Sequence, residues 1–174
     1  MKRSEELALE LEAQKEADRK LKDEFKEMYG AEWWNDNVAW NEYYERWLVI
    51  DNVQKDLKFQ IRREKNREIE VGDGVTMCYY SDRHACTVIA RTKTTLTVQR
   101  DKAILDPNFK PEWIPGGFAG HCTNADEQSY TYEIDPNGAI YKCNWSEKNG
   151  RFQHGSDGSI KVKRGRHEYY DYNF

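Results

Sequence analysis

Four cations stand within six residues at Lys161-Val162-Lys163-Arg164-Gly165-Arg166, and His167-Glu168-Tyr169-Tyr170 follow at once. Ammonium and guanidinium groups bind phosphate oxygens, and flat rings stack on bases. The run therefore reads as part of a site for a charged, ring-bearing ligand. Upstream, Arg83 sits beside His84 at a tight turn between two expected strands, and Arg91 and Arg100 end strands. Strand ends can converge at one edge of a sheet, where arginine forks match phosphate oxygens. Gly165 after Arg164 leaves room for close backbone approach. Trp113, Phe118, Tyr130 and Tyr132 are candidates for a stacking wall. The competing reading makes these arginines ordinary surface cations and the rings core. Arg151, in a short hairpin without cations beside it in sequence, is expected to stand apart from the site.

Catalytic and metal-binding patterns are thin. Cys78, Cys86, Cys122 and Cys143 form no CxxC pair. Structural zinc uses paired ligands at short spacing, so His84-x-Cys86 and His121-Cys122 do not make a metal site by themselves. A hydrolase built on Cys122, His121 and Asp126 is conceivable, but no local pattern singles those residues out. Gly116-Gly117-Phe118-Ala119-Gly120 lacks the strand–loop–helix setting of a phosphate-binding loop and reads as a ligand-approaching loop. Four free, buried thiols, no metal and no cofactor are expected.

The elements that must hold these residues fall into two parts, residues 1–70 and 71–174. Leu7, Leu11, Leu21, Phe25 and Met28 recur at helical spacing over 4–29, and Tyr29-Gly30 is a stop signal. A second helix is expected from about Asn35 to Arg67, capped by Asn35 or Asp36. Its stripe of Trp40, Tyr43, Tyr44, Trp47, Ile50, Leu57 and Ile61 is much richer. Two antiparallel helices would use most of it. The surplus suggests self-association through Trp40, Tyr44 and Trp47, because tryptophan is enriched at subunit contacts.

After Glu70 the pattern turns to strands: 75–80, 84–91, 95–100, 129–134, 139–145, 151–154 and 159–163. Asp135-Pro136-Asn137-Gly138 reads as a hairpin turn joining the fourth and fifth. Between the third and fourth lies a long segment, 101–128, read as an ordered loop over the sheet or a pocket. The fold class expected is α+β, a helical pair followed by an antiparallel sheet or small barrel.

Composition bounds the partners. The net charge of −4 belongs to residues 1–70, and residues 71–174 are neutral. A neutral β domain argues against duplex nucleic acid, which needs a basic footprint. No apolar run reaches membrane-spanning length, and the start, Met1-Lys2-Arg3-Ser4-Glu5-Glu6, does not read as a signal peptide. A cytoplasmic protein is expected.

The block Gly72-Asp73-Gly74, Ser81-Asp82-Arg83-His84-Ala85-Cys86-Thr87-Val88-Ile89, Gln99-Arg100-Asp101-Lys102-Ala103 and Phe109-Lys110-Pro111 resembles a group of small phage-borne proteins. So do Pro115-Gly116-Gly117-Phe118-Ala119-Gly120-His121-Cys122-Thr123-Asn124 and the tail Arg164-Gly165-Arg166-His167-Glu168. The chain resembles the phage anti-Thoeris signal-sponge family over about its last hundred residues. The resemblance implies a non-enzymatic protein in the cytoplasm of an infected bacterium. Such a protein binds glycocyclic ADP-ribose, and in some relatives cyclic oligonucleotides of CBASS immunity, without cleaving it. It implies a homo-oligomer, a dimer or higher, with phosphate-binding roles for Arg83 and Arg164. The ligand-facing set implied or suggested is Arg83, His84, Arg100, Trp113, Phe118, Asn124, Arg164 and Arg166. The first seventy residues depart from that pattern. A protein–protein inhibitor such as an anti-CRISPR, working through the tryptophan-rich helices, is the alternative.

Overall fold

The computed structural model of the chain describes residues 2–116 and 120–173. It divides between Lys65 and Asn66 into two compact units, each with its own core. The architecture is α+β, as the sequence indicates: two N-terminal helices precede an antiparallel barrel.

Unit one is a helical hairpin. Helix α1 (Arg3–Tyr29) ends at Gly30, whose φ of +89° and N–H hydrogen bond to the Lys26 carbonyl close the last turn. A 3-10 turn at Trp33–Asn35 intervenes before α2 (Asn37–Arg67). Asp36 is the cap, its Oδ1 accepting the amides of Val38 and Ala39 at 2.8 and 3.0 Å. The helices run antiparallel, pairing Arg46 with Glu24 at 2.8 Å and the Gln54 amide with the Gln14 carbonyl at 3.2 Å. Phe25, Trp33, Ala39 and Tyr43 pack at the closed end. Trp34, Trp40 and Tyr44 remain about half exposed.

Unit two is a six-stranded closed barrel with an insertion. Its strands are β1 (Gly74–Cys78), β2 (Arg83–Arg91), β3 (Thr95–Arg100), then, after the insertion, β8 (Ile140–Ser146), β9 (Arg151–His154) and β10 (Ile160–Arg164). Each pairs antiparallel with its sequence neighbour in the barrel, and β10 returns to β1. Closure leaves no open edge. Alternation along each strand sends one set of side chains inward. Val75, Met77, Cys86, Val88, Leu96, Val98, Cys143, Phe152 and Val162 fill the interior, and Ile69 belongs to the same buried cluster.

The segment read as one long loop is an insertion with structure of its own. Strand β4 (Lys102–Leu105) pairs with β7 (Tyr130–Glu133), and β5 (Trp113–Ile114) pairs with β6 (His121–Cys122). Two-residue strands carry no periodicity, and Lys102-Ala103-Ile104-Leu105 does not alternate. The Asn-Gly turn is also corrected. It does not join paired strands, because β7 pairs with β4 while β8 pairs with β3 and β9. It redirects the chain from the small sheet into the barrel. Gly138 is required there, since a Cβ would run into the Arg100 backbone carbonyl.

Replacing Gly138 by alanine should therefore destabilise unit two by about 3 kcal/mol. Thermal unfolding should show the Tm falling by roughly 10 °C. An unchanged Tm would mean that the turn relaxes without cost.

Candidate functional site

The outer face of β1, β10 and β9 gathers the cations. Inward Val162 leaves Lys161 and Lys163 pointing outward, and inward Phe152 does the same for Arg151. Register then builds rows across the strands. Cys78 lies opposite both Arg83 and Lys161, and Thr76 lies opposite Ala85 and Lys163. Small Thr76 and Cys78 floor a trough between longer cationic side chains.

Two cavities that share Cys78, Arg83 and Lys163 occupy this face. The larger, of about 760 Å³, adds Tyr79, Tyr80, Arg151, Ser159, Ile160 and Lys161. The smaller, of about 230 Å³, adds Thr76, Arg164, Gly165, Arg166 and His167. Six cations line the pair, and among the described residues no carboxylate does. Arg151 Nε is buried without a hydrogen-bond acceptor among the described residues. Tyr80 stands 91% exposed at the rim. Arg151 thus belongs to the cationic face and does not stand apart. The sequence missed it because the cations beside it come from β10 across the sheet.

Not every arginine here is free for a ligand. Arg83 Nη1 donates to the carbonyls of Asp82 at 2.8 Å, Ser81 at 3.1 Å and Tyr79 at 3.3 Å, tightening the turn it follows. Arg164 leans toward Glu68 and Asp73 at 3.6 and 3.8 Å, longer than a good charged hydrogen bond. Arg166 lies across Gly74, where a Cβ would be only 2.7 Å from its Cγ. Its Nε donates to buried Asp101 at 2.7 Å and its Nη2 to Thr87 Oγ1 at 2.7 Å, while that hydroxyl donates to Asp101 at 2.6 Å. Lys161 and Lys163 make no ion pair among the described residues.

His84 and Arg100 meet elsewhere, on Glu168. Toward one end of the barrel, strand alternation turns the inward positions polar, with the Tyr79 and His84 rings 4.8 Å apart. Arg100 grips Glu168 through two bonds of 2.6 Å, the Ala85 amide donates to it at 2.8 Å, and His84 Nδ1 lies 3.2 Å away. Burial alone would push this carboxyl up. The Arg100 fork, His84 and the Ala85 amide outweigh burial and hold it down at about 2. Burial, helped by Tyr141, pushes the Tyr79 phenol up to about 12.

The remaining residues of the expected site sit on the insertion. Trp113 is half exposed and meets Tyr172 edge to face at 6.1 Å. Asn124 is buried and structural, accepting the Glu112 amide at 2.8 Å and donating to the Lys110 carbonyl at 3.1 Å. Phe118 lies outside the described residues.

Nucleophile geometry is poor. His121 and Cys122 are adjacent in β6, so their side chains leave opposite faces, His121 exposed and Cys122 buried. Burial pushes the Cys86 thiol up to about 12 and the Cys143 thiol up to about 11, far from thiolate reactivity at neutral pH. All four cysteines are buried and unbridged. No group of three potential ligands for a metal ion occurs among the described residues. Among those residues, no helix is long and apolar enough to cross a membrane.

Glu168 makes stability pH-dependent with a definite sign. Its folded pKa lies below the ordinary 4.5, so its contribution is full above pH 4.5 and disappears as pH falls toward 2. Urea midpoints measured across that window should drop in the wild type. Glu168→Gln should cost about 3 kcal/mol near neutrality by leaving Arg100 unpaired, and should flatten the decline below pH 4.5. An identical acid profile in the variant would refute the assignment.

No family model, no curated protein and no solved structure matches the chain.

Proposed function

We propose that this protein captures a cyclic nucleotide signal on the outer face of its barrel and holds it intact. The role is that of a phage counter-defence sponge in the cytoplasm of an infected bacterium. The observation that carries the reading is the pair of adjoining cavities lined by six cations and no carboxylate among the described residues. Their size suits a ligand as large as glycocyclic ADP-ribose or a cyclic dinucleotide. Lys161, Lys163 and Arg151 would meet phosphate oxygens, Arg83 would add its Nη2 while its Nη1 holds the turn, and Arg164 would swing from its long contacts to do the same. Arg166 would shape the smaller cavity while staying bound to Asp101. The raised thiols of Cys86 and Cys143 and the separation of His121 from Cys122 support retention without chemistry.

The homo-oligomer belongs to the same proposal. Leu48, Val49 and Val53 form an exposed apolar strip on α2, with Val49 66% exposed. Val49→Glu combined with Val53→Glu should lower the mass found by light scattering; a monomeric wild type would remove this part of the proposal.

Calorimetric titration with glycocyclic ADP-ribose and with a cyclic dinucleotide tests the site. Charge-assisted hydrogen bonds contribute about 1.5–3 kcal/mol each, so Arg83→Ala, Arg151→Ala and Lys163→Ala should each weaken binding roughly ten- to hundredfold. Mass spectrometry of ligand released by heating should return it unchanged. If the wild type binds neither ligand, the sponge reading fails and inhibition of a protein target through the helical unit replaces it. If it binds and all three variants bind equally well, the function stands and the site does not.

A further inference from the structure

The trough on the outer face of the barrel holds more positive charge than its surroundings cancel. Of the six cations around the two cavities, Arg164 leans on Glu68 and Asp73, and Arg166 is bound to Asp101. The other four, Arg83, Arg151, Lys161 and Lys163, all line the larger cavity and have no carboxylate partner among the described residues. Arg83 Nη1 is occupied by the carbonyls of Tyr79, Ser81 and Asp82, which are neutral, so its charge stays uncancelled. Arg151 Nε is buried without an acceptor among the described residues.

These charges are crowded. Lys161 and Lys163 stand two residues apart on one face of β10, about 7 Å along the strand. Arg83 and Lys161 flank Cys78 from the two neighbouring strands, about 10 Å apart across two strand spacings. Like charges within such a span repel one another, and an anion is held more firmly the more of them it meets at once.

What the lining lacks is equally selective. Reading a base edge takes hydrogen-bonding side chains aimed at it. The larger cavity offers Ser159 and two tyrosines, and the Tyr79 hydroxyl is already bonded to Tyr141. Charge therefore outranks base identity in this cavity. A phosphodiester carries one charge, so a ligand with two of them leaves two of the four cations unmet. A chain of three or four phosphates carries about four charges at neutral pH.

We infer that the trough ranks its anions by charge and binds compact polyphosphates, such as the phosphate chain of a nucleotide polyphosphate, more tightly than cyclic nucleotides with two charges. The inference rests on the trough being the ligand site proposed above and adds a ligand class to it.

Calorimetric titration of the full chain at constant ionic strength tests it, with cyclic di-adenosine monophosphate and diadenosine tetraphosphate as a pair that shares two adenines and differs in charge. The tetraphosphate should bind at least roughly tenfold more tightly, and inorganic tripolyphosphate should displace the cyclic dinucleotide. Lys161→Gln and Lys163→Gln should each weaken the tetraphosphate about five- to tenfold and narrow its lead over the cyclic dinucleotide. Lys142→Gln, on β8 outside both cavities, should change neither. Equal affinity for the two adenine ligands, or lysine variants that leave the tetraphosphate unaffected, would overturn the inference while a bound cyclic dinucleotide kept the trough as a site. Binding of none of the three anions would overturn both.

Discussion

Two carboxylates removed from water, Asp101 and Glu168, decide where the chain's arginines go. A buried carboxylate without a counter-charge is too costly to keep ionised. Each here is met by a guanidinium from a distant part of the sequence, Arg166 for Asp101 and Arg100 for Glu168. These two bonds tie the segment after β10 down on the barrel. From there the tail reaches the insertion: the Glu168 amide donates to the Tyr132 hydroxyl, the Tyr170 amide to Gln128, and Asn173 brackets the backbone of Cys122. The tail is therefore a strap over barrel and insertion, and Arg164 to His167 owe their position beside the cationic trough to its anchoring.

The trough itself depends on alternation. On a closed barrel every second residue must go inward, so Ile160 and Val162 force Lys161 and Lys163 to share the outer face. Antiparallel register then sets Arg83 and Lys161 on either side of Cys78. Like charges brought this close repel; Glu68, Asp73 and Asp101 offset Arg164 and Arg166, while Lys161 and Lys163 have no carboxylate partner among the described residues. That unfavourable arrangement is what makes the face a candidate site and not merely a polar surface.

The helices, their caps and the barrel strands were legible because each carries a period of 3.6 or 2 over enough residues to register. Within the insertion β7 was legible as the strand expected at 129–134, whereas β4, β5 and β6 were not, since they are two to four residues long and carry no period. The site was half legible. Arg83, Arg164 and Arg166 do line adjoining cavities. His84 and Arg100 have the same local appearance, yet strand parity turns them toward the barrel end, where Glu168 meets them. Arg100 ends a strand just as Arg164 does, and only the tertiary placement of a carboxylate 68 residues away separates a cavity-lining cation from an internal one. Arg151 shows the converse, an unremarkable residue in sequence that register sets among the cations of β10.

Closure of the barrel through β1 and β10 also governs when the protein can exist. The first barrel strand finds its second neighbour only after some ninety intervening residues (the register opposes Val75 to Arg164) have been made. Until β10 emerges from the ribosome, β1 and β9 each present an unpaired edge, the feature that recruits foreign strands and proteases. Loop-closure entropy over such a span makes this last pairing slow compared with the local hairpins that precede it. The cationic face lies on the strand that completes the barrel, so the trough and protection from aggregation arise in the same late event, and a chain without β10 has neither.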